Sequence, residues 1–367
     1  MHQRRRSPRR EERRQNLTRI RSAFRRSVFA LSAGFLAASA GPVARAQDQT
    51  VSPTAADRVA AGSAKLVSVH PNFARTPAAA AHGREAIPTA RPASAAQPTQ
   101  SDPVQNPGDL SNQGGAVVDY AQSHALYVVN PAVGCTTASC WGDPEGFLRD
   151  LAGSDFIHVI DQYVGRHDGN RYTVGGHARV SLTLPSVPLT DLDMLAVVHT
   201  AASQTHQTGY NNIYHIFLPP GTDECLDATF TTCYSPDKPS TFVFCAYHSS
   251  ADFQDIGHVL YSVEPYQNVS GCNDAPVGSP NGQLADTTND TLSHELFETI
   301  TDPDGTAWYN TSSLVLLFNE IGDECIFLLF PGPGVVYGNP PTFNIGNKAY
   351  RVQTEYNNSR HACTIAP

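Results

Sequence analysis

The chain has 367 residues, eight cysteines and a formal net charge of −9, enough for one large domain or two ordinary ones. Residues 1–46 hold 12 arginines against two acidic residues, Glu11 and Glu12, so residues 47–367 carry a net charge of about −19. So acidic a body is repelled by nucleic acid and by anionic membrane, and both are excluded as partners.

The N-terminal 46 residues read as a signal peptide. An arginine-rich stretch runs to Arg26, an apolar run follows from Ser27 to Val43, and Ala44-Arg45-Ala46 is a small-x-small cleavage pattern. The apolar run falls short of the roughly 20 residues of a comfortable membrane span. The alternative is an uncleaved membrane anchor. Arg25-Arg26-Ser27-Val28-Phe29 also fits a twin-arginine export motif, which leaves that route and the general secretory route both open. Either route puts the mature protein outside the cytoplasm, secreted or periplasmic, with no membrane contact once the signal is removed.

Residues 47–112 are rich in Ala, Pro, Thr, Gln and Ser, with Phe73 the only aromatic residue. Such a stretch buries too little apolar surface to offset the entropy of ordering it, and is expected to be a disordered linker or pro-region. Residues 113–367 have the mixed apolar and polar pattern of one globular domain. Within them Ala125–Val129 reads as a buried strand. Asp143-Pro144-Glu145 reads as a helix start. Ser154 is a candidate cap for a helix over 155–164, and Ala178–Leu184 alternates like a strand. Thr190 can cap a helix through Ala202. Strands are expected at 213–218, 241–247 and 259–263, then a helix near 288–301 and a last strand at 348–354. Interspersed strands and helices predict an α+β fold, with helices packed on a mixed or antiparallel sheet.

All eight cysteines lie after residue 130. An even number confined to the exported part implies disulfides in an oxidising compartment. Eight cysteines allow 105 pairings. The expected set is the local pairs Cys135–Cys140 and Cys225–Cys233, with Cys245–Cys272 and Cys325–Cys363 closing longer loops.

The sharpest chemical signal is Ser293-His294-Glu295-Leu296-Phe297-Glu298-Thr299-Ile300-Thr301-Asp302-Pro303. On a helix His294 and Glu298 share a face and can ligate one divalent ion. Glu295, turned by one residue, takes the place of the general base in HExxH hydrolases. Glu298 stands where those motifs have a second histidine. A His/Glu donor set still suits zinc, and its harder character admits Ca or Mn. Twenty-six residues after His294, the segment Asn319-Glu320-Ile321-Gly322-Asp323 resembles the layout of thermolysin-like peptidases, where an Asn-Glu segment supplies the third ligand. That resemblance implies Glu320 as third ligand and Asp323 as a carboxylate that orients the ligating histidine. His248, at the end of a strand, is the first choice for an additional nitrogen, ahead of His258, His215, His206 and His199. Asp302 is a further candidate beside the helix end. Trp308-Tyr309 can line a groove, although core packing is the commoner fate of such a pair.

Several segments together resemble a known group: Gly114-Gly115-Ala116-Val117, Phe244-Cys245-Ala246-Tyr247-His248-Ser249, Pro280-Asn281-Gly282, Thr301-Asp302-Pro303-Asp304-Gly305-Thr306-Ala307-Trp308-Tyr309 and the stretch from Glu320 to Cys325. Over residues 114–367 they are similar to the plant EXORDIUM (phosphate-induced) family of secreted cell-wall proteins. They are also similar to a set of bacterial secreted proteins with a Ser-His-Glu-Leu helix. The resemblance implies export, a disulfide-bearing domain and a common fold. The plant pattern lacks the His-Glu pair, so a growth-signalling role does not transfer to His294 and Glu295. Two functions are therefore expected to compete. One is a secreted zincin-like metal-dependent hydrolase, a peptidase acting on extracellular peptide or cell-envelope polymer. The other is a non-catalytic extracellular binding protein with a structural metal or none. Glu295 separates them, because only a hydrolase needs it.

Overall fold

Seven strands of the computed structural model share one sheet. The structure describes residues 49–74, 108–166, 168–184, 188–273, 278–311, 319–326, 328–329, 336–337 and 340–367; the signal peptide expected over 1–46 lies outside them. The strands are β1 (Gln49–Val51), β2 (Lys65–Phe73), β3 (Ala121–Val129), β4 (Tyr172–Ser181), β5 (Asn212–Phe217), β6 (Phe244–Phe253) and β7 (Gly257–Glu264), in the spatial order β1-β4-β3-β5-β7-β6-β2. All neighbouring pairs from β1 to β7 are parallel. Only β6 is reversed, antiparallel to β7 on one side and to β2 on the other. The sheet is thus mixed, as expected, but mostly parallel, which makes the fold a mixed α/β one.

Among the described residues there are five α-helices: α1 (Ala55–Ser63), α2 (Pro144–Ala152), α3 (Asp161–Val164), α4 (Asp191–Thr205) and α5 (Gln283–Thr301). They cover both faces of the sheet, the arrangement that parallel strands need. Helices α1 and α4 pack over Leu126, Val128, Val180, Tyr214, Ile216 and Tyr261. Helices α2 and α5 pack over the alternate residues Ala125, Tyr127, Ile213, Phe217 and Leu260. The period-2 alternation along each strand separates these two cores.

Local chemistry explains the element starts. Asp143 caps α2, its carboxylate accepting the Gly146 N–H at 3.0 Å, with Pro144 in the first turn. The Thr190 N–H donates to the Asp193 carboxylate at the start of α4, at 3.0 Å. Ser154 is not a cap; its hydroxyl donates back to the Leu151 carbonyl, and the segment beyond it is a 3-10 turn, Phe156–Ile160, leading into α3.

Residues 49–74 correct the disordered-linker expectation where it overlaps them. Thr54 and Asp57 form a capping box that starts α1. Leu66-Val67-Ser68-Val69 then enters the sheet as part of β2. The sheet supplies the hydrogen-bond partners and α4 the apolar cover that this stretch lacks by itself, and so repays its ordering entropy. Residues 75–107 of the linker expected over 47–112 lie outside the described residues.

All four expected disulfides are present: Cys135–Cys140, Cys225–Cys233, Cys245–Cys272 and Cys325–Cys363. Among the described residues no helix is long and apolar enough to cross a membrane. The four disulfides are consistent with a protein exported to an oxidising compartment.

Candidate metal centre

Helix α5 is buried almost all round yet carries Asp, Asn, Thr, Ser, His and Glu on its buried faces. A buried helix is ordinarily apolar on every side, so these polar groups need partners. They meet a polar stripe on the sheet. His70 in β2 and His248 in β6 stand directly opposite each other in the antiparallel register, with ring centroids 4.8 Å apart at 76°. Both point to the face that α5 covers. A turn at 319–325 closes the third side.

Several bonds fix that turn. The Asn319 and Glu320 N–H groups donate to one Asp323 oxygen, Oδ2, at 3.2 and 3.4 Å. The Tyr356 N–H donates to the Ile321 carbonyl at 3.1 Å, and Gln353 Nε2 donates to the Gly322 carbonyl at 3.0 Å. The Cys325–Cys363 disulfide anchors its end. Gly322 is required by proximity: a Cβ there would lie 2.6 Å from His294 Nδ1. Gly305, at φ +66°, makes the same kind of close approach to His70 Nε2.

The side chains gathered here are His70, His248, His294, Glu295, Glu298, Glu320 and Asp323. Their ligand atoms form three sets, each with all members within 4.8 Å of one another: His70/His248/Glu320, His248/Glu295/Glu298 and His294/Glu298/Asp323. In the first, His70 Nδ1 is 2.7 Å and His248 Nε2 3.6 Å from Glu320 Oε2. In the third, His294 Nε2 is 3.0 Å from Glu298 Oε1 and 3.7 Å from Asp323 Oδ1. The Asp323 N–H also donates to Glu298 Oε1 at 3.2 Å.

These groups are deeply buried and under-satisfied. Both nitrogens of His248, both oxygens of Glu295, Glu320 Oε1 and Asp323 Oδ1 are buried with no hydrogen-bond partner. The ion pairs formed by Glu298, Glu320 and Asp323 among the described residues are with histidines. Burial, reinforced by His70 and His294, holds the His248 imidazole well below its usual pKa and hence neutral. Burial would depress His294 too, but Glu298, Glu295 and Asp323 outweigh it and hold that ring well above the usual histidine range. Burial, with neighbouring carboxylates, pushes Glu295 and Glu320 well up and Asp323 to about 8. Unpaired buried charge costs several kcal/mol per ion; protonation, which the raised carboxyls favour, or a bound cation would relieve it.

The expected helix-face pair His294/Glu298 is therefore found, and Glu295 and His248 lie beside it. Glu320 falls with His70 and His248, and Asp323 takes its place next to His294 and Glu298. Asp302 stands apart from the three sets: its Oδ1 accepts the Thr306 and Ala307 N–H groups, both at 2.6 Å, and so shapes the turn after α5. The other candidate histidines are engaged elsewhere. His199 contacts Asp57 at 2.7 Å and Asp255 at 3.0 Å. His215 bonds Ser262, and His258 bonds Asp252, each at 2.8 Å. His206 ends α4 in the left-handed region. Trp308 is half-buried against Tyr163, with ring centroids 5.2 Å apart, and pairs with Asn112 in a short ladder.

His70 is the member of the cluster that sequence reasoning missed. The signal for it was the strand-like alternation Val67-Ser68-Val69 just before it, masked by the Ala/Pro-rich average around it. Two further buried carboxyls border the cluster, Glu264 and Glu355; burial pushes the first to about 8 and the second well up. Comparison with protein-family models, with curated proteins and with solved structures finds no match.

Proposed function

We propose that this protein is an exported metal-dependent hydrolase, acting on an extracellular peptide or a cell-envelope polymer, with its reactive ion held by His70, His248 and Glu320. The observation that carries the reading is the donor set itself: two imidazoles and one carboxylate that converge, with His248 and Glu320 buried and both His248 nitrogens and Glu320 Oε1 without a hydrogen-bond partner. Two nitrogens and one oxygen make a hydrolytic zinc set, with a position left for water or substrate. His70, with 26 % of its side chain exposed against 1 % for His248 and Glu320, marks the side from which substrate can approach. A zinc ion bound there would supply Lewis acidity and a more acidic water. The chain's own residues do the rest. The neutral His248 presents a lone pair. Glu295, within 4.8 Å of His248, would be ionised beside such a cation, take a proton from the attacking water and pass it to the leaving group. On α5 Glu295 follows His294 directly, the order of the zincin-like motif, although His294 is not one of these three ligands.

Glu295→Gln tests the reading. The amide is nearly isosteric but cannot take a proton, so bound zinc should be retained while peptidase or esterase turnover drops about 10²–10⁴-fold. Unchanged turnover overturns the catalytic role of Glu295.

A second reading has its own support: His294 is fully buried, as befits an ion that staples elements together. On that reading the domain is an EXORDIUM-like extracellular binding protein, and wild type and Glu295→Gln would both bind metal and both be inert.

A further inference from the structure

We propose that the cluster takes a second divalent cation, held by His294, Glu298 and Asp323 on the inner side of α5, so that the centre is a two-ion one. The inference rests on the metal-binding reading above and deepens it.

Three observations carry it. The first is geometric. Two atoms bound to one ion at 2.0–2.2 Å cannot be more than about 4.4 Å apart. The candidate ligand atoms fall into three sets instead of one: His70, His248 and Glu320 form the outer set, and His294, Glu298 and Asp323 the inner, with no member shared. His248, Glu295 and Glu298 form the middle set and join the two ends. One ion cannot serve both ends, whereas two ions with Glu295 between them can.

The second is charge. Glu295, Glu298, Glu320 and Asp323 are each 5 % exposed or less. Ionised, they carry four negative charges, and a histidine that ligates a metal does so as the neutral imidazole, so it offsets none of them. One divalent ion leaves half of that charge unbalanced in a medium where unpaired charge is costly; two balance it.

The third is an unpartnered buried atom aimed into the inner set. Asp323 uses Oδ2 to hold the Asn319 and Glu320 N–H groups, which leaves Oδ1 without a hydrogen bond, 3.7 Å from His294 Nε2. The backbone thus orients the carboxylate so that its second oxygen faces His294 and Glu298. One nitrogen and two carboxylates make a harder donor set than the outer one, suited to Mn²⁺ as well as Zn²⁺. Since Glu298 and His294 come from α5 and Asp323 from the closing turn, the inner ion would also tie the turn to the helix.

The test is metal stoichiometry on the intact exported protein. After chelation and dialysis, wild type is titrated with Zn²⁺ and separately with Mn²⁺, and bound metal is counted by equilibrium dialysis and elemental analysis. Two equivalents are expected. His70→Ala should keep one, and His294→Ala should keep one, with the domain's disulfides intact in both. One equivalent in wild type, lost in His70→Ala and kept in His294→Ala, overturns the second ion while the hydrolase reading stands. No bound metal in wild type overturns both. Should either variant fail to fold, the wild-type count alone decides.

Discussion

At the scale of single residues, the cluster depends on close approaches that tolerate little change. Gly322 has an ordinary right-handed helical backbone, φ −74° and ψ −44°, so alanine costs nothing in main-chain strain. The new methyl would nevertheless meet His294 Nδ1 at 2.6 Å and Cε1 at 2.9 Å, well inside van der Waals contact. The imidazole must turn away from Glu298 and Asp323. Gly322→Ala should therefore weaken binding of the inner ion about 10–100-fold, as outer-shell changes at metal sites do, while the outer ion stays near its wild-type affinity. Zn²⁺ titration checks this; equal loss at both positions would show that His294 and His70 serve the same ion. His294, Glu295, Glu298, Glu320 and Asp323 were legible in sequence because helical spacing and an Asn-Glu segment are local patterns. Which carboxylate meets which histidine was not legible, since that depends on how the 319–325 turn is hung from Gln353 and Tyr356.

At the scale of elements, sequence periodicity located β5, β7 and α4 to within three residues and the start of α2; it overlapped β3, β4, β6 and α5 with one boundary four to six residues off, and missed β1, α1 and β2. The misses share a cause. Composition averaged over 47–112 is that of a linker, and the Thr54-x-x-Asp57 box and the Val67–Val69 run are too short to alter that average. They fold because α4 and β6 offer them a surface, which is a tertiary effect. On the opposite face of the sheet from the metal cluster, Asp191 at the start of α4 and Glu224 on a short strand form a buried carboxyl pair. Asp191 accepts from Tyr261 at 2.7 Å and from Tyr247 at 3.1 Å, and Tyr247 also donates to Glu224 at 3.2 Å. Burial raises both carboxyls, Glu224 well above its usual range and further so by the charge of Asp191. A raised folded-state pKa means stability that is complete below the ordinary carboxylate pKa and lost as pH rises through the folded value. Wild type should therefore lose thermal stability on moving from acid toward alkaline pH. Glu224→Gln, which keeps an acceptor for Tyr247 and cannot ionise, should flatten that loss. Parallel melting curves of the two proteins across pH 5–9 decide it; identical pH profiles would show that Glu224 is not the group responsible.

At the scale of the whole molecule, one sheet joins a hydrophobic core on each face to a polar centre at the β6/β2 end. The two cores and four disulfides stabilise the domain independently of any ion. The polar centre does the opposite without a cation, because it buries Glu298, Glu320 and Asp323, whose ion-pair partners among the described residues are histidines, and Glu295, whose oxygens have no hydrogen-bond partner. Folding stability and metal binding are therefore linked: a ligand that binds only the native state stabilises it by RT ln(1 + [L]/Kd), about 4 kcal/mol at a thousandfold excess over Kd. Since about 1 kcal/mol shifts the melting midpoint of a domain of 150–250 residues by about 2–4 °C, the effect is large enough to read directly. The decisive measurement is the thermal midpoint of the chelator-stripped protein before and after adding back Zn²⁺, with Glu298→Gln as the reference variant. A rise of about 5 °C or more in wild type and a much smaller one in the variant is the predicted result. A midpoint that Zn²⁺ and Mn²⁺ both leave unchanged in wild type would contradict the existence of the metal centre.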